Sequence, residues 1–243
     1  MPDLIVHTYG PAWNTIDLSP FSVKLQTWLR LARLPFTTRL SIPSRMPQGK
    51  LPVLDMDGQR LPDSTAIINA LRERHGDPLG DWQRTPEQRA LARAVQSMLE
   101  TDLYFTAVWW RWTPPGNQAL LRAEMAHYFQ GLGVPKLFAP LAFAQARNGI
   151  QKQLQAQGAG RKSPEELTAN GEQIMSALRD FLGDQPFLLG DAPATIDATG
   201  FAFLHTLLNT PLDIPLKARV LAMPTLVAYH QRMLALCWPE RVA

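Results

Sequence analysis

Three short segments of this 243-residue chain carry residue types that can grip an anionic, peptide-like molecule. Ser19, Pro20, Phe21 and Ser22 read as a helix start, where N–H groups without intrahelical partners and the helix dipole favour an anion. A thiolate is such an anion. The same residues also satisfy the plainer rule of a serine N-cap followed by proline at the first helical position. Lys50, Leu51, Pro52 and Val53 place a proline at a strand entry, where it removes one ladder donor. Asp63 and Ser64, after Leu61 and Pro62, mark a second helix start, at which a hydroxyl and N–H groups suit a carboxylate while Asp63 suits an ammonium. Taken singly, each segment reads as capping or strand-edge chemistry.

The elements that must position these residues follow from the pattern. Leu4, Ile5 and Val6 begin a buried strand, and a turn-rich stretch runs from Gly10 to Leu18. Pro20 opens a helix whose Phe21, Leu25, Trp28, Leu29 and Ala32 share one face, and Pro35 stops it. Strands are predicted at about Phe36–Ile42 and Leu51–Met56, with Asp57-Gly58 turning into Gln59–Leu61 as a hairpin. Asp63 or Ser64 then caps a helix built on Ile67, Ile68 and Leu71. Strand, helix, strand, hairpin, helix is a thioredoxin-like order with a right-handed parallel crossover. In that arrangement a cis Pro52 presents the Leu51 backbone to a peptide-like ligand, while a trans bond leaves a plain strand-edge proline.

Residues 1–76 thus form an α/β thioredoxin-like domain, residues 77–84 a polar, turn-rich linker, and residues 85–243 an all-α domain. Capping boxes at Thr85-Pro86-Glu87-Gln88 and Ser163-Pro164-Glu165-Glu166 start two of its helices, the first running to about Trp112. Pro114, Pro115 and Gly116 end that run, and further helices are predicted at about 117–130, 135–157, 195–209 and 224–236.

Composition excludes several classes. Hydrophobic residues make up 46% and charged residues 19%, as in an ordinary globular protein. The net charge of +3 is scattered, so nucleic acid is not an expected partner. Cys237 is the single cysteine, which leaves no internal disulfide and no thiol pair, and suits a reducing cytosol. No secretory signal pattern and no run of about 20 apolar residues is present, so membrane insertion is not expected. His7, His75, His127, His205 and His230 lack metal-ligand spacing. Arg161 beside a capping box reads as a helix-start residue.

The segments SPFSVKLQTWLRLAR (19–33), GKLPVLDMDGQRLPDSTAIINAL (49–71) and MLETDLYFTAVWWRW (98–112) together resemble the failed axon connections family of glutathione-transferase-like proteins, relatives of the metaxins. The likeness extends to GRKSPEE (160–166) and GDAPATID (190–197). It implies glutathione held by the first domain and an apolar second substrate between the two. Leu51 and Pro52 would hold the cysteinyl backbone, and Asp63 and Ser64 the γ-glutamyl end. Ser19 falls where related classes place a catalytic serine or cysteine, its hydroxyl donating to the glutathione sulfur. Lys50 is a candidate for the glycine carboxylate, against the plainer reading of surface charge. Trp13, Tyr104 and Trp109 are the candidates for the second-substrate pocket, against the plainer reading of aromatic core.

Two departures from the family pattern matter. Neither Ser19 nor Ser22 is cysteine, so no mixed disulfide with glutathione is expected. Ala194 stands where a capping Ser or Thr usually precedes Asp197, leaving Thr195 as the nearby hydroxyl. The expected function is a serine-type, cytoplasmic glutathione transferase that detoxifies small apolar electrophiles, without metal and as a homodimer. The rivals are a non-catalytic glutathione-binding protein and a metaxin-like protein-interaction module.

Overall fold

In the computed structural model, residues 4–242 are described. β1 (Leu4–Thr8) pairs in parallel with β2 (Phe36–Leu40), in register from Leu4↔Phe36 to Thr8↔Leu40. β3 (Val53–Met56) runs antiparallel to β1 and joins β4 (Gln59–Pro62) through the Asp57-Gly58 turn, giving the order β2-β1-β3-β4. The parallel pair needs a crossover, which α1 (Pro20–Leu31) supplies. Both predicted strands are shorter than expected: the second ends at Leu40 and the third begins at Val53, after short 3-10 turns at Pro43–Arg45 and Pro47–Gly49.

Leu4, Val6 and Leu54 of the sheet pack on Leu25, Trp28 and Leu29 of α1 and on Ile67, Ile68 and Leu71 of α2 (Ser64–His75). The opposite side of α1 is also covered, since Val23 joins the main core of the helical region. A helix enclosed on both sides must bury polar residues too, and Ser22, Lys24, Gln26 and Thr27 are all buried. The helix ends at Leu31, before Pro35, in a turn that puts Arg33 at φ 56°.

After α2, the polar stretch to Thr85 is tied down at both ends. Arg72 pairs with Asp77 at 3.1 Å, and Asp81 accepts from the Thr195 amide at 3.2 Å. The Thr85 box is complete: Gln88 N–H donates to Thr85 Oγ1 and Thr85 N–H to Gln88 Oε1. It opens α3 (Pro86–Ser97), which passes through a π-helical stretch, Met98–Leu103, into α4 (Tyr104–Trp112). α5 (Pro115–Gly131) starts on the second proline, two residues before the predicted Asn117, because proline is well suited to a first helical position. α6 (Ala139–Gln157) and α7 (Pro164–Leu182) follow, the latter opened by the expected Ser163 box.

α8 (Thr195–Leu208), α9 (Pro215–Leu221) and α10 (Pro224–Cys237) complete the fold. α9 is absent from the sequence reading; it is too short to show a helical period and is held by tertiary packing. Its Leu216 sits on Gly171 of α7, where a Cβ would meet Leu216 Cδ2 at 2.7 Å, so any larger residue would force the Leu216 side chain to shift. The start of α8 departs from expectation. Thr195 does not replace the missing cap; its hydroxyl donates to Asp81 and accepts from Trp28 Nε1 at 2.8 Å. Asp197 closes the turn instead, accepting from the Ala194 and Leu188 amides at 2.8 Å each. Among the described residues, no helix is long and apolar enough to cross a membrane.

Candidate functional site

The start of α1 is built over a buried carboxylate. Asp17 accepts from Gly10 N–H through Oδ2 and from Ser19 N–H through Oδ1, each at 3.0 Å. Burial pushes its pKa up to about 7, against the opposing hydrogen bonds from Ser19, Thr8 and Gly10. These bonds fix the loop backbone, so Ser19 enters the helix in an extended conformation (φ −100°, ψ 126°). The Ser19 side chain makes no cap bond, contrary to the plainer N-cap reading, and is 9% exposed. Arg111 of α4 fixes the same loop from the helical side, donating through Nη1 to the Leu18 carbonyl at 2.8 Å. Its guanidinium also acts on Tyr9, Tyr104 and Asp17 across the seam. Ser22, one turn into α1, is fully buried.

The second corner lies at the joint of β3 and α2. The Leu51–Pro52 peptide is cis, both residues are buried, and they precede the ladder that begins at Val53. Lys50 stands exposed beside them. Asp63 caps α2 from a left-handed backbone (φ 70°), its Oδ1 accepting from Thr65 N–H and Ala66 N–H at 2.9 Å each. Those two bonds offset the cost of a positive φ in a residue other than glycine. Ser64 is buried as the first helical residue.

Between the corners runs a network that sequence reading missed. Lys24 of α1 is 0% exposed, and its Nζ donates to Glu100 Oε1 at 2.6 Å and to Thr65 Oγ1 at 2.7 Å. Gln96 Nε2 closes the ring on Thr65 Oγ1 at 2.8 Å and on Glu100 Oε2 at 3.0 Å. Burial draws the Lys24 pKa down, and the Glu100 charge opposes that shift. No local signal marks Lys24 or Glu100, because a charge on a helix ordinarily reads as solvated surface. Asp17 lies in a stretch legible only as turns.

The three predicted aromatic residues separate. Trp13, in the loop at φ 51°, and Tyr104 each pack against both cores of the helical region, and Tyr104 meets Phe21 edge-on at 5.0 Å. Trp109 packs on Trp110 at 5.1 Å and lies against only one of these cores, the one that holds Leu121, Phe143 and Leu154. A cavity of about 30 Å³ lies between Pro20, Tyr104, Arg111 and Phe203. That volume suits a water molecule.

Three other predicted bystanders find definite work. Ile16 N–H donates to His205 Nε2 at 3.3 Å, and His205 Nδ1 faces His230 Nε2 at 3.1 Å. Burial depresses the pair to about 3 and about 4, respectively, so both rings are neutral at neutral pH and tie the loop to α8 and α10. Arg161 donates to the Gln155 carbonyl at 2.8 Å, closing the end of α6.

Comparison with known proteins identifies the family of the fold. Residues 20–117 match the model of the glutathione S-transferase N-terminal domain, and residues 171–233 that of the C-terminal domain. The chain is 31% identical over 232 residues to Failed axon connections of Drosophila melanogaster, covering 92% of this chain but 55% of that longer protein. It is also 31% identical to the isoprene-epoxide–glutathione S-transferase of Rhodococcus sp. strain AD45, covering 95% of this chain and 97% of that one. Human Metaxin-2 matches at 23% over 87% of this chain and 80% of its own. Among solved structures, a beta-etherase from Sphingobium sp. strain SYK-6 superposes with a TM-score of 0.62 at 20% identity, covering 96% and 95% of the two chains. With its thioredoxin-like sheet, its helical second half and these relatives, the chain belongs to the glutathione S-transferase superfamily, in the metaxin-related branch.

Proposed function

We propose that this protein binds glutathione between the starts of α1 and α2 and conjugates its thiolate to a small apolar electrophile. The observation that carries the reading is the Ser19 hydroxyl, which sits at a helix start yet makes no cap bond. A hydroxyl donor and the positive end of a helix both stabilise a sulfur anion. Lowering a thiol pKa from about 8.5 by about two units turns a few per cent of thiolate at pH 7 into the majority species. Leu51 and Pro52 would hold the cysteinyl backbone, Asp63 and Ser64 the γ-glutamyl end, and Lys50 the glycine carboxylate. Trp13 and Tyr104, with Trp109 further out, would flank the electrophile. The name of the Rhodococcus relative makes an epoxide the first electrophile to try. Cys237 is buried in α10 with its thiol pushed up to about 12, which disfavours thiol exchange as the chemistry. Detoxification in the cytosol by a homodimer completes this reading.

A second reading, a glutathione-binding or metaxin-like interaction module without turnover, is favoured by one feature. Leu137, Phe138 and Leu141, at the start of α6, are 83%, 54% and 69% exposed. Calorimetry of glutathione with wild type and Asp63→Ala, then bound-thiolate absorbance against pH in Ser19→Ala, separates the two. The transferase reading expects at least about tenfold weaker binding without Asp63. It also expects a thiolate pKa raised by one unit or more without Ser19. Glutathione binding without turnover of any electrophile would favour the module, and no binding at millimolar glutathione would sink the enzyme.

A further inference from the structure

Resting on the glutathione reading, we infer that Glu100 is a specificity-determining residue for the α-ammonium of the γ-glutamyl group, acting by cancelling the buried charge of Lys24. An ammonium seated at Asp63 would lie close to Lys24, whose Nζ is 2.7 Å from Thr65 Oγ1, while the Thr65 amide donates to Asp63 at 2.9 Å. Asp63 is exposed but Lys24 is buried, so water screens the repulsion between the two cations only in part. Lys24 cannot turn away, since it is 0% exposed and enclosed by α1, α2 and the π-helical stretch.

Glu100 answers that charge from the helical side at 2.6 Å, and its side chain, 16% exposed, still reaches solvent. The helix is distorted where this residue lies, because Met98–Leu103 winds as a π-helix, a form concentrated at functional sites. Gln96 pins the second oxygen, so the carboxylate is held at both ends. Arg93, the other cation acting on Lys24, stands exposed on α3 and is screened by water. The arrangement admits a positively charged group beside Asp63 because the Glu100 carboxylate, 2.6 Å from Lys24 Nζ, offsets the buried cation.

Calorimetry on the full chain should compare glutathione with glutaryl-cysteinyl-glycine, the same peptide lacking the amino group. Wild type is expected to prefer glutathione by at least about tenfold. Glu100→Gln should lose that preference chiefly through weaker glutathione binding, with the des-amino peptide unaffected. A general loss of fold weakens both peptides alike, so the ratio stays informative. The double variant Lys24→Met/Glu100→Gln removes both charges together and should recover the preference to within about threefold. An unchanged preference in Glu100→Gln, or no recovery in the double variant, overturns the inference. Equal wild-type affinity for the two peptides removes this inference alone, whereas binding of neither removes the glutathione reading with it.

Discussion

Two helices of this protein begin beside a buried aspartate, and the two carboxylates hold different things together. Asp197, at the start of α8, gathers donors from three separate places: the Leu188 and Ala194 amides and the Tyr229 hydroxyl of α10 at 2.9 Å. Asp17, before α1, takes its two backbone bonds from Gly10 and Ser19, within its own loop. Burial raises both, Asp197 to about 6 and Asp17 to about 7. The first joins distant elements and leaves the α8 start closed within the protein. The second shapes one loop and leaves the Ser19 hydroxyl uncommitted. The two helix starts thus differ in where their polar partners come from, and only the second has a hydroxyl free for the ligand proposed above.

The contrast is broken most directly at Asp197. Asp197→Ala strands two buried N–H groups, at about 1–3 kcal/mol each, while the Tyr229 hydroxyl keeps the Asp197 carbonyl at 3.2 Å, so a loss of about 2–6 kcal/mol is expected from the urea midpoint. A loss below about 1 kcal/mol would remove the architectural role.

Asp17→Asn sharpens the contrast through pH. The folded pKa of about 7 lies above the ordinary value of 3.8, so the folded state binds the proton more tightly than the unfolded one. Asp17 therefore contributes stability that is complete below about pH 4 and is lost as pH rises through about 7. Asp197 follows the same sign but finishes near pH 6. The wild-type minus Asp17→Asn difference in unfolding free energy should fall by up to about 4 kcal/mol from pH 4 to 8, part of it between 6 and 7. A difference independent of pH would mean that Asp17 is ionised throughout.

The smallest effect belongs to Ser19. Because no cap bond exists to lose, Ser19→Ala should change stability by less than about 0.5 kcal/mol, while Ser163→Ala should cost about 1 kcal/mol through its capping box. Thermal melts of the two variants side by side test this. Equal losses would return Ser19 to an ordinary cap.

Much of the frame was legible from local chemistry. Pro20 opens α1, Asp57-Gly58 makes the hairpin, Asp63 caps α2, and both capping boxes stand where Thr85 and Ser163 announce them. Each of these rests on hydrogen bonds or dihedral preferences spanning a few residues, which a one-dimensional pattern carries. Asp63 was readable as a helix cap, and so as a candidate site residue, for the same reason. The α9 helix was not, since seven residues without a repeated apolar face depend on what they pack against.

The charges behind the site were illegible because their partners are remote. Lys24 is 76 residues from Glu100 and 41 from Thr65, Arg111 is 93 from Leu18, and Ile16 is 189 from His205. Sequence by itself determined the element order of the first domain, the capped helix starts and the family likeness, since backbone preferences and apolar periodicity are local. Only the tertiary structure decided that α1 is enclosed on both sides, which turned Lys24 from a surface charge into a buried one needing Glu100. It also decided that Asp17 rather than Ser19 serves the backbone at the start of α1, because burial sets how each polar group is satisfied.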